Sequence, residues 1–582
     1  MKISPDRKTD GSPSAVRDIA GRLEEGKRTV VTGLRGSSPS FVLASIFGIL
    51  RKTVLYVTAT EEEAREAKES LSLFLGAADV LHFPPWDRFA TSVQAVGGDV
   101  PSRRIEVLVR LLAGGPAVVV ASLEALLSRV APRKAVEGYV ETLFLGDRRD
   151  RDGLAAKLQE GGYRRVPLVE REGEFSVRGN IVDFHWTGGE KPFRIEFSGD
   201  EIESIRTFDP ATQRSKEEQL EAPLRPVTEF LRTGLSLREA MKNLRLRSNE
   251  LGLSREERER LAERLEGGAD MAPIPWLLPL FFASGDSAGG LDTLFDYLPV
   301  RTPLFLDSLP LVRAAGGKLE NDLERFLYRA REEGRYFPEK DTFWISPAEW
   351  EGIPAGRAVV EFSRTDTGEG ETVAFETEMP EGLKGTGSVR SEADRGLLSP
   401  LAERVQSWVR EEFQVFFVCG EDETDRMVHL FSQYDLPAGT SKGSLLGDVG
   451  EPGLLPGRLL VKTGRIREGF VAPALRIAVI SETEVFGEKI RRRRGRSRRE
   501  GFFLKSFAEL SPGDFLVHKD HGIGIYRGLE RIRFDSREND FLLIEYHGND
   551  KLFIPVDRLD QIQRYVGPEG HRPGVDRLGG TS

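Results

Sequence analysis

The chain has 582 residues, of which 39% are hydrophobic and 30% are charged, and its formal net charge is −10 at pH 7. At about 150 residues per domain, this length predicts about four domains. The composition is typical of a soluble globular protein, and no apolar run approaches the length of a membrane span. The N-terminal residues, MKISPDR, lack the apolar stretch of a signal peptide. We therefore expect a cytoplasmic protein.

Cysteine usage and charge exclude two classes of site. Cys419 is the only cysteine, which excludes an internal disulfide and a zinc site built from clustered cysteines. It ends the apolar run 415–419, which predicts a buried strand, so its thiol is expected to be an inert core group. The acidic net charge argues against a surface that binds DNA along the whole protein.

A glycine loop follows the first predicted strand, residues 28–33, and precedes a helical segment. This is the layout of a P-loop, in which backbone N–H groups surround phosphates, a lysine reaches the β and γ oxygens and a hydroxyl holds Mg²⁺. Pro39 and Ser40 lie where Gly-Lys is expected. We therefore predict a vestigial nucleotide site, with no catalytic residue and no bound cofactor; weak binding by the backbone alone is the alternative. The loop residues are Gly33, Gly36 and Ser37.

A second α/β pattern with short alternating strands begins at about residue 139. It predicts a β-meander in which Arg178 and Arg194 are available for charge-assisted contacts to carboxylates. A solvated strand face is the alternative for both arginines. The pattern then returns to the first α/β unit, with a helix that starts at Ser254 and an apolar strand that ends at Asp307. Asp307 could be a remnant of a Mg²⁺-holding aspartate, but without the lysine a plain strand end is expected.

Three segments follow before the C-terminal region. Residues 363–400 are rich in Gly, Glu, Thr and Ser and predict an interdomain linker. The pattern of residues 401–489 predicts a further α/β domain, in which no residues suggest a catalytic or binding site. The connector at 490–511 packs seven arginines into its first ten residues, which suggests a nonspecific phosphate contact with DNA or transcript, a solvated linker being the alternative. The arginines that carry this prediction are Arg491, Arg492, Arg493 and Arg494.

Short strands with glycine-rich turns mark residues 514–567. Residues 541–546 and 551–555 predict a hairpin within them. Strands this short and close favour a small barrel, and a barrel of this size is expected to bind a partner rather than enclose a substrate. His518 and His521 flank a turn, and two histidines without further ligand spacing favour a turn role over metal binding.

The same region resembles the RNA-polymerase-interaction module of the bacterial transcription-repair coupling factor family, which CarD-type regulators share in related form. The shared segments between residues 513 and 566 include VH, HGIG, LIEY and IPV. The resemblance implies a Tudor-like or SH3-like barrel that docks on the polymerase β subunit. Ile532 matches the family's key apolar contact, with Arg531 and Arg533 beside it, although periodicity is equally compatible with a core role for Ile532.

Residues 162–215 resemble the UvrA-binding domain that this family shares with the excision-repair protein UvrB. The interface that the resemblance implies consists of Arg178 and Arg194 together with an aromatic contact. At that contact this chain has Phe197 followed by Ser198 in place of a second phenylalanine. Because the second aromatic ring is absent, we expect a weaker or rearranged interface. The N-terminal region resembles a UvrB-like module that has lost its ATP site in this family.

The resemblance implies an α/β multidomain protein with a small β-barrel. A degenerate RecA-type, UvrB-like unit is interrupted by an α/β UvrA-binding-like domain and followed by a spacer domain. The expected boundaries are 1–138 and 223–362 for the UvrB-like unit, 139–222 for the inserted domain, 363–400 for the linker, 401–489 for the spacer, 490–511 for the Arg-rich connector, and 512–582 for the barrel and the start of a further linker.

The implied function is to link stalled transcription to nucleotide excision repair by docking on the RNA polymerase β subunit and on UvrA. In the full-length family, an ATP- and Mg²⁺-dependent motor translocates on DNA and displaces the polymerase. No Gly-Lys-Thr or Gly-Lys-Ser loop occurs in this chain, so we expect the motor to be missing, no enzymatic activity and only weak DNA contact. Because the family's C-terminal domain masks its UvrA surface, the resemblance implies that this shorter chain exposes that surface. The alternatives are a UvrB-like ATP-dependent helicase subunit, which should keep the lysine, and a CarD-like transcription regulator, which leaves residues 162–215 unexplained.

Overall fold

A computed structural model describes residues 13–86, 100–189, 191–267, 275–282, 290–364, 371–383, 399–441, 443–450, 457–486, 513–518, 521–534, 537–548, 550–555, 562–564 and 575–576. The chain divides into two compact units. The first comprises residues 1–141, 156–164 and 223–489, and the second comprises residues 142–155, 165–222 and 490–582. Within the described ranges, no helix is both long enough and apolar enough to cross a membrane.

The helices and strands follow one another in five stretches. The first contains α1 (Pro13–Glu24), β1 (Arg28–Thr32), α2 (Ser38–Leu50), β2 (Val54–Thr58), α3 (Glu61–Leu75), β3 (Val80–Phe83), α4 (Val100–Ala113), β4 (Val118–Ser122), α5 (Leu123–Leu127) and α6 (Arg133–Tyr139). The second contains β5 (Glu141–Phe144), α7 (Arg151–Glu160), β6 (Arg164–Arg165), β7 (Glu174–Arg178), β8 (Ile181–His185), β9 (Phe193–Ser198), β10 (Glu201–Phe208), β11 (Ser215–Gln219) and β12 (Glu221–Leu224).

The third stretch contains α8 (Gly234–Glu250), α9 (Arg255–Glu266), α10 (Leu278–Phe281), α11 (Leu294–Tyr297), β13 (Leu304–Asp307), α12 (Leu309–Glu332), α13 (Lys340–Phe343), α14 (Pro347–Gly352), β14 (Val359–Phe362) and β15 (Glu371–Ala374). The fourth contains α15 (Ser399–Arg410), β16 (Gln414–Cys419), α16 (Thr424–Ser432), β17 (Ala438–Ser441), α17 (Leu445–Gly450), β18 (Leu459–Thr463), β19 (Phe470–Ala472), β20 (Ile477–Ser481) and α18 (Glu482–Phe486). The fifth contains β21 (Phe515–His518), β22 (Gly522–Phe534), β23 (Arg537–Glu545), β24 (Lys551–Pro555) and β25 (Ile562–Arg564).

The first α/β domain is built on a seven-stranded parallel sheet with the order β15-β1-β14-β13-β2-β4-β3. Every residue of β2 and β4 is buried, as expected where both faces of a parallel sheet are covered. The predicted order of strand, glycine loop and helix is confirmed by β1 and α2. The predicted helix start at Ser254 is also confirmed, because its hydroxyl accepts a hydrogen bond from the Glu257 amide at the start of α9. Within residues 363–400, predicted as a linker, β15 pairs with β1.

The second α/β domain has a five-stranded sheet with the order β17-β18-β16-β20-β19, parallel except for β19. Its central strand β16 alternates between two cores, because successive side chains of a strand point to opposite faces. Val415, Phe417 and Cys419 lie in a cluster with helices α15 and α16. Phe416 and Val418 lie in a cluster on the opposite face. The Cys419 thiol is buried, as the apolar run predicts.

The cluster that holds Phe416 and Val418 also contains side chains of the first α/β domain. The ring of Phe470, at the start of β19, lies 5.4 Å from that of Phe41 on α2 and 6.5 Å from that of Phe74 on α3. Phe470 is fully buried by these contacts. The two α/β domains of the first unit therefore share one apolar core, while the second domain also has a core of its own on the other face of β16.

The second unit contains two antiparallel sheets. The six-stranded sheet has the order β11-β10-β9-β8-β7-β6 and confirms the predicted meander. The other sheet has the order β24-β23-β22-β21-β25, and its β23–β24 hairpin confirms the one predicted from sequence. Among its described residues no pairing joins β24 to β25, so a closed barrel is not seen in them. The small core of this sheet consists of Leu516, Tyr526, Leu542, Ile544, Tyr546 and Ile554.

A fully buried ion pair lies inside the first α/β domain. The Nε atom of Arg104 on α4 donates to Oε1 of Glu229 at 2.6 Å, and neither side chain is exposed. The Arg104 guanidinium also lies over the Phe83 and Trp86 rings, 4.2 and 4.9 Å from their centroids. The second carboxylate oxygen of Glu229 accepts from the Ala131 amide at 3.1 Å. Burial lowers the pKa of Arg104, and Glu229 opposes that shift.

We expect Glu229→Gln to lower the free energy of unfolding of this domain by about 3–5 kcal/mol, because the Arg104 charge would stay buried without a counter-charge. Urea denaturation followed by tryptophan fluorescence measures the change. Glu259→Gln, which removes the exposed Arg255–Glu259 pair on α9, is the control and should change stability by less than about 1 kcal/mol. Equal effects of the two substitutions would contradict the prediction.

Candidate functional site

The glycine loop follows β1 at the carboxyl edge of the first sheet, where open α/β sheets usually bind ligands. Gly33 and Gly36 have positive φ angles, +76° and +53°. A Cβ at Gly33 would lie 1.9 Å from the Phe375 carbonyl oxygen, and one at Gly36 would lie 1.9 Å from the Gly469 carbonyl oxygen. Both positions require glycine because other parts of the chain approach the loop at these points.

Two amide groups of the loop, those of Arg35 and Ser37, are bonded within the chain. The Arg35 amide donates to the hydroxyl oxygens of Ser38 and Thr377, both at 2.8 Å. The Ser37 amide donates to the Glu468 carbonyl oxygen at 3.1 Å. In a working P-loop these N–H groups surround phosphate oxygens. Here a threonine hydroxyl from the segment after β15 and a carbonyl from the second α/β domain accept the hydrogen bonds.

The lysine of a P-loop has no counterpart in the structure. Counting from Gly33, the Gly-Lys pair falls on Ser38 and Pro39, one residue earlier than expected from sequence, and Ser40 falls on the hydroxyl position. Ser38 and Pro39 are the first two residues of α2, where proline costs no hydrogen bond because these N–H groups have no intrahelical partner. The loop thus keeps the backbone shape of a phosphate site and lacks its cation.

A cavity of about 470 Å³ lies beside the loop. Five of its charged side chains form ion pairs: Glu66 with Arg467 at 2.9 Å, and Glu63 and Asp307 with Arg364 at 3.5 and 3.8 Å. Asp307 ends β13 as predicted. Burial raises the pKa of its carboxyl group to about 6, Glu63 adds to the shift and Arg364 opposes it. The charged residues of the lining are Arg35, Glu63, Glu66, Asp307, Arg364, Arg467 and Glu468.

We expect Asp307→Asn to stabilise the domain at neutral pH. Since the folded pKa of about 6 exceeds the ordinary 3.8, the native state binds the proton more tightly, and the stability contributed by Asp307 falls as pH rises from about 4 to 6. The variant should gain up to about 3 kcal/mol over the native chain at pH 7 and nothing below pH 4. Urea midpoints measured across this range check the trend.

Asp209→Asn is the matched control of opposite sign. A hydrogen bond from Lys216 is the main cause that lowers the pKa of Asp209, so this variant should lose stability at pH 7. A loss of stability for Asp307→Asn at pH 7 would contradict the prediction.

Arg194, one of the predicted UvrA-contacting arginines, lies inside the inserted domain. It stands opposite Asp183 in the β8–β9 register, and its Nε and Nη2 atoms bind the two carboxylate oxygens at 2.8 and 3.1 Å. Its Nη1 donates to the Gln213 carbonyl, and its guanidinium lies 4.7 Å from the Phe208 ring centroid. The guanidinium is therefore engaged within the sheet, neither solvated nor available as the strand pattern suggested. A contact with UvrA stays a prediction.

The other residues of the predicted UvrA surface differ in exposure. Arg178 on β7 binds the same Asp183 carboxylate at 2.6 Å and keeps 31% of its side chain exposed. Phe197 is buried in the domain core, whereas Ser198 at the end of β9 is exposed. Asp183 itself, fully buried between the two arginines, was not singled out from sequence. Its position opposite Arg194 can be recognised only when the register between β8 and β9 is known.

The predicted polymerase contact lies on β22. Arg531, Ile532 and Arg533 stand opposite Asp540, Asn539 and Glu538 of β23. Their side chains are outside the part of the structure that is described, so the interface and core roles of Ile532 both stay predictions. The connector residues Arg491, Arg492, Arg493 and Arg494 also lie outside the described residues.

The two histidines of this sheet stack on each other. The rings of His518 and His521 lie 4.7 Å apart with an interplanar angle of 27°. Among the described residues, no group of three or more His, Cys, Asp or Glu side chains could hold a metal ion. The stacked pair thus connects the end of β21 with the residue before β22.

Comparisons with known families match two parts of the chain. Residues 142–230 match the UvrB interaction domain family. Residues 510–566 match the CarD-like/TRCF RID domain family. The first match covers the six-stranded meander, and the second covers the five-stranded sheet.

Comparisons with curated proteins find similarity along almost the whole chain. A transcription-repair-coupling factor of Myxococcus xanthus is 32% identical over 99% of this chain and 48% of that protein. Proteins of the same name from Bacillus subtilis (strain 168) and Staphylococcus aureus (strain Mu50 / ATCC 700699) are each 26% identical, over 97% and 95% of this chain and 47% and 46% of those proteins. The chain thus spans about half the length of the curated relatives it matches.

Proposed function

We propose that the chain, which spans about half the length of the transcription-repair-coupling factors it matches, is an N-terminal docking fragment that holds the RNA polymerase β subunit and UvrA, linking stalled transcription to nucleotide excision repair. The observation that carries the proposal is that one chain contains both a UvrB interaction domain and a CarD-like/TRCF RID domain. A CarD-like regulator would account only for the second of these matches.

The two matched regions support separate docking sites. The meander has its own buried residues on β7 to β10, and the five-stranded sheet has its own apolar core. A sheet with a core of its own can present strand edges and faces to a partner without rearrangement of the rest of the chain. The fragment therefore needs no catalytic step to act as a tether.

We further propose that the chain alone neither hydrolyses ATP nor carries a cofactor. ATP and Mg²⁺ would act in the motor of the full-length family, which would also supply most of the DNA contact. Support comes from Pro39 at the lysine position and from the intramolecular bonds of the Arg35 and Ser37 amides. The alternative, a UvrB-like helicase, requires a loop whose lysine and backbone amides are free to bind the phosphates of ATP.

For the polymerase site we expect Ile532→Arg to abolish retention of the chain by the β subunit, because a charge placed in an apolar contact is buried without a counter-charge. A pull-down with purified β subunit measures retention. Ile49→Arg is the matched control, since Ile49 lies on α2 and is already 49% exposed. Retention of Ile532→Arg equal to that of the control would contradict the interface role, and loss of folding by circular dichroism would favour the core role.

For the UvrA site we expect Arg178→Ala and Arg194→Ala to act differently. Arg178→Ala leaves Asp183 bound to Arg194, so the domain should fold and UvrA affinity should fall roughly fivefold or more. Arg194→Ala removes the side chain that makes two hydrogen bonds to the buried Asp183 carboxylate. This variant should destabilise the domain by about 3 kcal/mol. Titration of immobilised UvrA and thermal unfolding of each variant separate the two effects.

The control for the UvrA experiment is Arg206→Ala. Arg206 lies on the neighbouring strand β10 and forms a loose pair with the exposed Glu218 at 3.9 Å, so neither folding nor affinity should change. Unchanged UvrA affinity in a folded Arg178→Ala protein would contradict the predicted contact.

A further inference from the structure

The loop Gly33–Ser37 and the segment 466–470 meet at the boundary between the two α/β domains of the first unit. The Ser37 amide donates to the Glu468 carbonyl, and Gly36 lies so close to the next carbonyl, that of Gly469, that no side chain fits between them. This approach occurs at the point where a P-loop holds phosphate. A backbone carbonyl of the second domain therefore takes up a loop amide that would otherwise be available to a phosphate.

We propose that the former phosphate loop is an intramolecular docking socket: it binds the segment 466–470 of the second α/β domain, and the docked segment and a nucleotide exclude each other. The socket uses the same donor groups that bind phosphate. The acceptor is a peptide carbonyl, which carries a partial negative charge but no net charge. The inference goes beyond the docking function proposed above and does not depend on it.

Several contacts around the socket hold the segment in place. Arg467 pairs with Glu66 on α3 at 2.9 Å. Phe470 packs against Phe41 at a centroid distance of 5.4 Å in the shared core. Val471 exchanges two backbone hydrogen bonds with Glu378, at 2.8 and 2.9 Å. Residues 467–471, that is, most of the segment and the residue after it, therefore carry a charge contact, an apolar contact and a backbone pairing.

Thr377 secures the socket itself. Its hydroxyl accepts from the Arg35 amide at 2.8 Å and lies 2.9 Å from the Gly33 carbonyl, to which it donates. The residues after β15 thus line the loop from one side, while the segment 466–470 closes it from the other. The two acceptors, the Thr377 hydroxyl and the Glu468 carbonyl, are neutral polar groups, whereas a phosphate would bring formal charge to the same amides.

The socket needs no lysine. Its acceptors, the Glu468 carbonyl and the Thr377 hydroxyl, are neutral, so they place no formal negative charge for an ammonium at position 39 to offset. Pro39 is therefore compatible with the socket.

Hydrogen exchange on the full chain tests the socket, with Gly36→Ala and Gly26→Ala compared. Both glycines have positive φ, +53° and +74°, so both substitutions carry backbone strain. Only the Cβ at position 36 would clash with the second domain, since Gly26 has nothing within 4 Å. We expect amides of 464–472 to exchange roughly tenfold faster or more in Gly36→Ala, as each tenfold corresponds to about 1.4 kcal/mol of opening free energy.

The pattern of exchange decides between outcomes. Faster exchange at 464–472 with β2 and β4 still protected supports the proposal. The same exchange at 464–472 in Gly36→Ala as in Gly26→Ala overturns it. Because Gly36→Ala could also prevent folding, a second variant tests the exclusion of nucleotide directly.

The second variant is Ser38→Gly/Pro39→Lys, which restores the motif and leaves the segment 466–470 unchanged. Its binding of a fluorescent ATP analogue is measured by anisotropy, with exchange at 464–472 followed in the same samples. No binding, or binding accompanied by loss of protection at 464–472, supports mutual exclusion. Saturable binding of the ATP analogue while the amides of 464–472 stay protected would show that the nucleotide and the docked segment do not exclude each other. That result overturns the proposal.

Discussion

Two backbone carbonyls determine how the first unit is built. The oxygens of Phe375 and Gly469 each lie where a Cβ on the glycine loop would have to be, so the loop closes only against bare glycine backbone. The hydrogen bond from Ser37 to Glu468 and the apolar contact of Phe470 follow from that approach. Because the same contacts close the core shared by the two sheets, the position of the second sheet depends on residues that in a nucleotide-binding protein would serve a ligand.

Much of this fold is readable from the sequence. Apolar strands such as β2, β4 and β16, the helix start at Ser254 and the β23–β24 hairpin depend on local periodicity, capping and turn chemistry, and all are observed. The glycine loop was also located, since its pattern is local. The loss of the lysine is readable for the same reason, although the Gly-Lys pair falls on Ser38 and Pro39, one residue earlier than the pattern alone predicts.

The sequence does not reveal contacts between residues that are far apart in the chain. Ser37 and Glu468 meet through backbone atoms, which carry no side-chain signal at all. Asp183 and Arg194 are adjacent only in the β8–β9 register, so a strand-face interpretation cannot show that Asp183 binds Arg194. The Arg104–Glu229 pair brings together two charged residues that sequence reasoning places at the surface, because burial of a charge is rare unless its partner is known.

Three carboxylates, those of Asp183, Glu229 and Asp307, show how pairing geometry decides whether a carboxylate stabilises the fold or costs stability. Asp183 is bound by two arginines at 2.6 and 2.8 Å, and Glu229 by one at 2.6 Å, so each charge is offset where it is buried. Asp307 is nearly as buried, but its cation, Arg364, is 3.8 Å away and 60% exposed. A contact of that length to a solvated guanidinium offsets little of the desolvation cost, which is why the pKa of Asp307 rises to about 6. The first two carboxylates stabilise the folds around them, whereas Asp307 costs stability at neutral pH. The glycine loop beside it is in contact with the segment 466–470, whereas Asp307 has no equally close cation among the described residues.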